Sequence, residues 1–207
     1  SHYWGVWWGM EPFEKYKEKV PRFMSEYGFQ SLPVALSVSK FMGGGNLTLS
    51  TPALKSHQKH PTGFETISKY MDYYYLHARD FRSQTYLSNI LQAKGMHIAT
   101  TAHRSAMPVC MGSLIWQLND CWPGISWSLF DYYGREKAAY YSVRTDFKNV
   151  ILGSELNGRN LAVKLISDSS KIFNADLSVR LIDFDGNIRW TDKLDVVVNP
   201  GTSKLVY

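Results

Sequence analysis

The spacing of apolar residues changes near residue 147, and this change constrains the fold more than any other feature of the sequence. In 80–104 the apolar residues recur at the spacing of an amphipathic helix, which Gly95 is expected to end or to interrupt with a turn. In 161–165 they alternate with other residues, as in a strand that buries one face. The two periods place apolar side chains differently and require different elements. The sequence therefore predicts a helix-containing domain over 1–147 and an all-β domain over 148–207.

The first domain is predicted to be α/β. The aromatic run 2–8 predicts a strand and the loop after it, and 22–29 predicts a buried strand near the start of the chain. A short helix is predicted over 11–20, between these strands. The continuously apolar 109–118 is typical of a strand buried on both faces, and 137–147 predicts the last helix. Because strands separated by helices pair in parallel, this order indicates a parallel βα arrangement.

The second domain is predicted to be an antiparallel β-sandwich with immunoglobulin-like organisation. The turn sequences Asp185-Gly186 and Asn199-Pro200-Gly201 separate its alternating segments. With about 60 residues it is short beside the roughly 100 of a complete sandwich of this type. We therefore expect 148–207 to be part of such a sandwich.

Charge and composition exclude two classes of function. The net charge is +5, but basic residues alternate with acidic ones, as in Lys17-Glu18-Lys19, and no basic run stands out. This pattern indicates a solvated surface rather than nucleic-acid binding. No apolar stretch reaches the roughly 18 residues of a membrane span, and no signal peptide is recognisable.

Cys110 and Cys121 lie too far apart along one predicted strand to bridge without a tight reversal, so buried free thiols are expected.

The irregular stretch 42–66 offers no cofactor or metal site. Its Gly43-Gly44-Gly45 lacks the Gly-Lys-Ser/Thr ending of a phosphate loop and predicts a flexible loop. His57 and His60 lack the glutamate and the spacing of a zinc-protease helix, so both are predicted to be surface histidines. Asn46-Leu47-Thr48 matches a glycosylation triplet, a pattern that chance often produces.

Two segments contain residues that could take part in catalysis. Glu26 lies among aromatic and small residues in 23–31, where a carboxylate on a strand end would be partly shielded from water. Such an environment suits a nucleophile or a general base, although this segment alone favours an ordinary loop acid. The second segment, 114–123, ends the apolar stretch 109–118. In (β/α)8 barrels the chemistry lies at the carboxyl ends of strands, so two such segments at two strand ends favour an active site.

Together the two segments resemble the β-mannosidases of glycoside hydrolase family 2. The motifs that carry the resemblance are Ser25-Glu26-Tyr27-Gly28, Trp116-Gln117-Leu118-Asn119-Asp120, Ser126-Trp127-Ser128, Asp131-Tyr132-Tyr133-Gly134-Arg135 and Lys137-Ala138-Ala139-Tyr140-Tyr141. The resemblance implies that 1–147 is the C-terminal portion of a (β/α)8 TIM barrel. It also implies that Glu26 is the nucleophile of a retaining mechanism and that Trp116 closes the floor of the sugar site.

Further site residues follow from this resemblance. Asn119 and Asp120 are expected either to bond sugar hydroxyls or to hold the loop after the strand. Trp4 and Trp8, together with Trp7, are candidate walls of the sugar subsites.

Hydrogen-bond donors near Glu26 would keep it ionised. Tyr27, which we also place in the substrate site, is one candidate donor. Tyr3 and His2 are the others.

A retaining glycosidase needs a second carboxyl group, about 5–5.5 Å from the nucleophile. In the family that the chain resembles, the acid/base glutamate follows an asparagine, and this sequence contains no Asn-Glu pair. We therefore expect the C-terminal piece of a longer enzyme, inactive alone. We expect it either to self-associate through surfaces that the rest would cover or to be unstable in solution. Its expected partners are a β-mannoside oligosaccharide or glycoconjugate and the rest of the parent enzyme. Periplasmic, secreted and lysosomal locations all fit such a parent.

Two alternatives remain open. The chain could belong to another family 2 glycosidase, of the β-galactosidase or β-glucuronidase type, although the Trp-Gln-Leu-Asn-Asp run favours the mannosidase branch. It could also be a non-catalytic carbohydrate-binding or structural module, although such a module would not need two motifs at two strand ends.

Overall fold

The computed structural model describes residues 1–45 and 47–207, so Asn46 and its glycosylation triplet lie outside the described residues. The chain divides into two compact units. One contains Ser1–Arg104 and Val109–Phe147, and the other contains Ser105–Pro108 and Lys148–Tyr207. The first unit is built from helices and parallel strands, and the second from antiparallel strands.

The described residues of the first unit form five α-helices and two short strands. The helices are α1 (Ala35–Met42), α2 (Pro52–Ser56), α3 (Gly63–Tyr74), α4 (Phe81–Ser105) and α5 (Ala138–Asp146). The strands are β1 (Met24–Tyr27) and β2 (Ser113–Ile115), and a 3₁₀ helix, Phe13–Lys17, precedes β1. The predicted helix 11–20 is thus a single short 3₁₀ segment, which buries Phe13 and Tyr16.

The predicted parallel arrangement is found at β1. Strand β1 pairs with β2 in parallel, with Met24 opposite Ser113 and Tyr27 opposite Ile115. On the other side of β1, His2 forms a parallel bridge to Glu26. The predicted strand 2–8 is therefore reduced to its first residues, since the chain turns where the Trp8 N–H donates to the Trp4 carbonyl. Three chain segments still run side by side in one direction and end at the same edge.

The stretch 109–118 differs from its prediction as a strand buried on both faces. Only Ser113–Ile115 form a strand, and Val109, Met111, Leu114 and Leu118 are each more than half exposed. In the described part of the chain, β2 forms a ladder with β1 alone. One side of β2 therefore faces solvent.

Helix α4 is the longest element, and it does not end at Gly95. A Cβ at Gly95 would stand 2.7 Å from the Phe13 ring, so the glycine lets an aromatic ring pack directly on the helix backbone. The prediction of a helix end at Gly95 is wrong because packing of Phe13, rather than chain reversal, requires the glycine. Thr85 and Ser88, which lie outside the apolar stripe, are also buried.

The irregular stretch 42–66 contains more structure than predicted. Helix α2 lies inside it, and α3 begins at its end. His60 is also not a surface residue, because it is only 7% exposed and its ring packs edge-on against Trp7. Burial lowers the pKa of His60 below its ordinary value.

The second unit contains five antiparallel strands in two sheets. They are β3 (Val150–Asn157), β4 (Asn160–Ser167), β5 (Phe173–Ile182), β6 (Ile188–Val198) and β7 (Thr202–Leu205). One sheet has the order β3-β4-β7, and the other pairs β5 with β6. The predicted turns at Asp185-Gly186 and Asn199-Pro200-Gly201 connect β5 to β6 and β6 to β7. Of the alternating residues, Val163, Leu165 and Leu177 are buried, whereas Leu181 and Ile188 are more than half exposed. The period of two therefore predicts burial for only part of these strands.

Both cysteines are free thiols. Cys110 is buried as predicted, but Cys121 is exposed, so the prediction of burial is wrong for that residue. Within the described ranges, no helix combines the length and apolar character that a membrane crossing requires.

Candidate active site

Glu26 and Trp116 lie at the carboxyl ends of two neighbouring strands. Tyr27, next to Glu26, is opposite Ile115, next to Trp116, and the Trp116 N–H donates to the Tyr27 carbonyl at 2.8 Å. Because paired parallel strands lie about 4.8 Å apart, the two predicted motifs meet at one sheet edge. At Gly28 a Cβ would overlap the Trp116 carbonyl oxygen, so only glycine permits this close approach.

The Glu26 carboxylate has two partners from the first residues of the chain. The Trp4 indole Nε1 donates to Glu26 Oε1 at 2.8 Å. The His2 Nε2 lies 3.4 Å from Glu26 Oε2, and the other ring nitrogen of His2 is 2.8 Å from the Ser25 hydroxyl. The Glu26 side chain is 28% exposed, so one surface of the carboxylate remains open to a ligand. The hydrogen bond from Trp4 fixes the position of one carboxylate oxygen.

Two of the predicted donors to Glu26 serve other groups. The Tyr3 hydroxyl donates to the Glu11 carboxylate, although the Tyr3 backbone N–H donates to the Glu26 carbonyl. Tyr27 is fully buried, and its hydroxyl lies between Ser113 and Thr100. Its burial raises the pKa of Tyr27 to about 12. The placement of Tyr27 in the substrate site is therefore corrected, because its side chain points into the core and no ligand can reach it.

Trp116 is accessible from solvent. Its side chain is 46% exposed, and a cis peptide bond follows it, joining Trp116 to Gln117. Asn119 is also exposed and follows Trp116 along the same loop. These two predicted residues are therefore accessible at the strand end that carries Glu26.

Asp120 has a structural role. It is only 6% exposed, and its carboxylate accepts hydrogen bonds from the Ser126 and Ser128 hydroxyls at 2.6–2.8 Å. The prediction that Asp120 bonds sugar hydroxyls is corrected, since both serines occupy its oxygens within the protein. The alternative, that Asp120 holds the loop after the strand, agrees with these contacts.

The three N-terminal tryptophans occupy different environments. Trp4 contacts Glu26, while Trp7 is 1% exposed and belongs to the core, which removes Trp7 as a wall residue. Trp8 is 61% exposed and packs edge-on against His60, with 4.3 Å between ring centroids. Trp127 lies edge-on to both Trp4 and Trp7, and so connects the partner of Glu26 to the core. The motif Ser126-Trp127-Ser128 marked Trp127 in the sequence, but nothing in the motif indicated which residues Trp127 contacts.

The described residues do not form a metal site. Among residues 1–45 and 47–207, no group of three or more His, Cys, Asp and Glu side chains is placed to hold a metal ion. One concave surface is lined by Met10, Tyr70 and Tyr73, and another by residues between 75 and 87. Neither of these two surfaces contains the Glu26 carboxylate.

The chain is similar to a known protein family and to several curated proteins. Residues 159–207 match the family model described as a Mannosidase Ig/CBM-like domain. Beta-mannosidase B from Aspergillus flavus is 31% identical over 157 residues, which cover 73% of this chain and 19% of that protein. Beta-mannosidase B from Aspergillus niger is 32% identical over the same shares of each chain. The chain thus spans about a fifth of the length of these curated relatives.

Two solved structures have folds similar to that of this chain. The crystal structure of β-D-mannosidase from Dictyoglomus thermophilum matches with a TM-score of 0.89 and 30% identity, over 100% of this chain and 26% of that chain. The exo-chitosanase from Amycolatopsis orientalis matches with a TM-score of 0.75 over 94% of this chain and 25% of its own. Its identity is 17%, so that likeness concerns the fold alone.

These matches show that the chain is related to glycoside hydrolases and carries an immunoglobulin-like domain. Within that class, its sequence and fold resemble the β-mannosidases, so the resemblance predicted from the motifs is confirmed. The mixed helix and sheet content and the immunoglobulin-like domain are likewise as predicted.

Proposed function

We propose that this chain supplies the nucleophile and part of the sugar site of a retaining exo-β-mannosidase, and that Glu26 is the nucleophile. The observation that carries the proposal is the meeting of Glu26 and Trp116 at one edge of the β1–β2 pair. A hydrogen-bonded, partly exposed carboxylate beside an exposed indole suits attack on a sugar that stacks on the ring. The relatives named beta-mannosidase support the choice of sugar.

The chemistry assigns each group one role. A Glu26 oxygen attacks the anomeric carbon while the bond to the leaving oxygen breaks, and an acid elsewhere protonates that oxygen. Water then attacks the glycosyl ester, gives its proton to the same acid/base group and releases the sugar with retained configuration. The Trp4 N–H keeps one Glu26 oxygen oriented, and Trp116 supports the apolar face of the sugar. Asn119 and Trp8 are accessible for contacts with hydroxyls and with the rest of the glycan.

The acid/base group is proposed to lie outside this sequence, because no Asn-Glu pair is present. The 1–147 segment is proposed to belong to a (β/α)8 barrel, which the parallel order of residues 1–3, β1 and β2 supports. The isolated chain is then expected to release no product from aryl β-mannosides.

Covalent trapping tests the proposal directly. A 2-deoxy-2-fluoro-β-mannosyl fluoride should accumulate as a glycosyl ester on a protein of the relatives' length that carries this chain, because the fluorine slows hydrolysis of the ester. We expect peptide mapping by mass spectrometry to place the label on Glu26. Glu26→Gln should abolish both labelling and turnover, whereas Glu65→Gln, an exposed acid on α3, should change neither.

Substrate selectivity separates the alternatives. A mannoside-selective activity that requires Glu26 supports the proposal. An equally Glu26-dependent activity that prefers aryl β-galactosides or β-glucuronides would show another glycosidase of the class. Glycan binding that survives in Glu26→Gln, in a protein without hydrolysis, would favour a non-catalytic carbohydrate-binding module.

A further inference from the structure

A lysine with its charged end inside the protein lies behind the loop that carries Trp116. Lys137 is 1% exposed and stands immediately before α5. Its Nζ donates to the Ser31 carbonyl at 3.3 Å and to the Ser126 carbonyl at 3.2 Å. Lysine is seldom buried without a specific partner, because removing an ammonium from water is costly. The position of Lys137 therefore needs a reason beyond packing.

Two buried carboxylates act electrostatically on this ammonium. Burial lowers the pKa of Lys137 to about 7, while the negative charges of Asp120 and Asp131 act in the opposite direction. Asp120 is already bonded by the Ser126 and Ser128 hydroxyls. Asp131, which is 3% exposed, accepts hydrogen bonds from the backbone N–H groups of Tyr133 and Arg135. The lysine and the two acids thus form one polar cluster on the inner side of the loop.

Helix α4 holds the same loop from a second direction. The Gln92 amide nitrogen donates to the carbonyls of Phe29, Trp127 and Ser128, at 2.8, 3.0 and 3.3 Å. Its amide oxygen accepts the Ser31 hydroxyl at 2.7 Å. Lys137 and Gln92 therefore both tie 126–128 to the chain that follows β1 and Glu26.

The fixed segment is bonded directly to the residues around Trp116. The Gln117 N–H donates to the Trp127 carbonyl at 3.3 Å, and the Leu129 N–H donates to the Gln117 carbonyl at 3.0 Å. The Lys137 backbone N–H in turn donates to the Leu129 carbonyl at 2.9 Å. Trp116 itself is 46% exposed, and its backbone N–H donates to the Tyr27 carbonyl. The backbone is thus held by hydrogen bonds on both sides of Trp116.

We propose that Lys137, acting with Asp120, is a positioning residue that sets the orientation of Trp116 relative to Glu26. Neither side chain touches the sugar. Both act through 126–129, the segment that bonds the backbone on the C-terminal side of Trp116. As a statement about the sugar site, this inference rests on the proposed function, but the orientation of Trp116 can be measured without it.

The first measurement needs no activity. The chain has seven tryptophans, and 5-fluorotryptophan labelling gives each a fluorine NMR resonance that Trp116→Phe and Trp8→Phe assign. In Lys137→Met we expect the Trp116 resonance to shift or broaden while that of Trp8 stays in place. Thr85→Val is the matched control, because Thr85 is buried on α4 and its hydroxyl bonds only the local Phe81 carbonyl among the described contacts. It should leave the Trp116 resonance unchanged.

The second measurement is kinetic, in a protein of the relatives' length that carries this chain. A misplaced platform weakens binding of the sugar, so Lys137→Met should lower kcat/KM for an aryl β-mannoside at least tenfold, mainly through a higher KM. Thr85→Val should stay within about twofold of the wild type at temperatures where both variants are folded. A purely structural role for Lys137 would lower the unfolding temperature of Lys137→Met and leave its KM unchanged.

A milder variant guards against loss of the fold. Ser128→Ala removes one 2.6 Å hydrogen bond to Asp120 and leaves Lys137 in place, so it should shift the Trp116 resonance less than Lys137→Met does. An unchanged Trp116 resonance in folded Lys137→Met, or in Ser128→Ala if the lysine variant fails to fold, would overturn the inference. A wild type without glycosidase activity would instead remove the proposed function, and the fluorine result would still decide the role of Lys137.

Discussion

At the scale of single residues, Glu26 depends on a partner that no local motif indicates. Trp4 lies 22 residues earlier in the chain, and its N–H reaches Glu26 only because residues 1–3 run alongside β1. The two tyrosines that we named as candidate donors bond other groups, Glu11 in the case of Tyr3 and Ser113 and Thr100 in the case of Tyr27. The donor to the proposed nucleophile is thus selected by strand pairing.

Removing that donor should slow catalysis without unfolding the protein. Trp4→Phe keeps a ring beside Trp127 but loses the 2.8 Å hydrogen bond to Glu26. A hydrogen bond to a charged group is worth about 1.5–3 kcal/mol, so kcat/KM for an aryl β-mannoside should fall about 10- to 100-fold. Trp190→Phe is the control, because Trp190 is about half exposed on β6 and is not part of the candidate site. Equal activity of the two variants would remove Trp4 from the mechanism.

Another residue, His103, should make the first unit sensitive to acid. Burial lowers the pKa of His103 from 6.5 to about 4, and its Nδ1 is 2.8 Å from the Ser113 hydroxyl. Between those pH values the unfolded chain binds a proton that the folded chain does not. Stability is therefore full above pH 6.5 and decreases as the pH falls toward 4, by up to about 3 kcal/mol.

Urea unfolding of wild type and His103→Gln at pH 7 and pH 4.5 measures this effect. The variant should lose less stability on acidification than the wild type. His97 provides the opposite control, because its hydrogen bond to Asp146 raises the pKa of His97 and so stabilises the fold at low pH. His97→Gln should make the acid loss steeper. Equal acid losses in all three proteins would contradict the assignment.

At the scale of elements, the sequence predicts whether a segment is a helix or a strand better than it predicts where that element begins and ends. The period of 3.6 predicts α4, and the period of two predicts the strands of the second unit, because each pattern reflects burial of one face. Gly95 shows what a local pattern omits. A glycine that ends a helix and a glycine that admits Phe13 look alike in the sequence, and only tertiary packing distinguishes them. The same limit applies to 109–118, whose apolar character gives no indication of which neighbour covers each face.

Gly95 offers a test in which packing and helix propensity predict opposite results. Alanine in a helix interior is favoured over glycine by about 1 kcal/mol, but its Cβ would stand 2.7 Å from the Phe13 ring. We expect Gly95→Ala to lower the free energy of unfolding by about 1–3 kcal/mol, as overpacking does. Denaturant unfolding measures it. Phe13→Leu in the same chain should recover part of the loss, and a stabilised single variant would show that the ring moves aside freely.

At the scale of the whole molecule, the first unit combines a large apolar core with an exposed apolar surface. The first contains a core of large side chains, among them Trp7, Tyr16, Phe29, Ile67 and Leu91. Yet apolar residues in and next to its β1–β2 pair lie at the surface, namely Leu114 in β2 and Phe23, Val109 and Met111 before the strands. Glu26 and Trp116 stand at the end of this same pair. The candidate site is therefore built at the border of the exposed apolar surface.

This surface should make the isolated chain associate with itself. The four residues Phe23, Val109, Met111 and Leu114 are 46–63% exposed, and in the described part of the chain β2 has a free ladder edge. Exposed apolar patches and open strand edges are both sites of association. Analytical ultracentrifugation should show dimers or larger species at micromolar concentration. Leu114→Lys adds a charge to this surface and should shift the chain toward monomer, whereas Leu76→Lys, at an exposed leucine after α3, should not. A dilute monomer with cooperative unfolding would mean that the β1–β2 surface tolerates water, and equal association of both lysine variants would place the contact elsewhere.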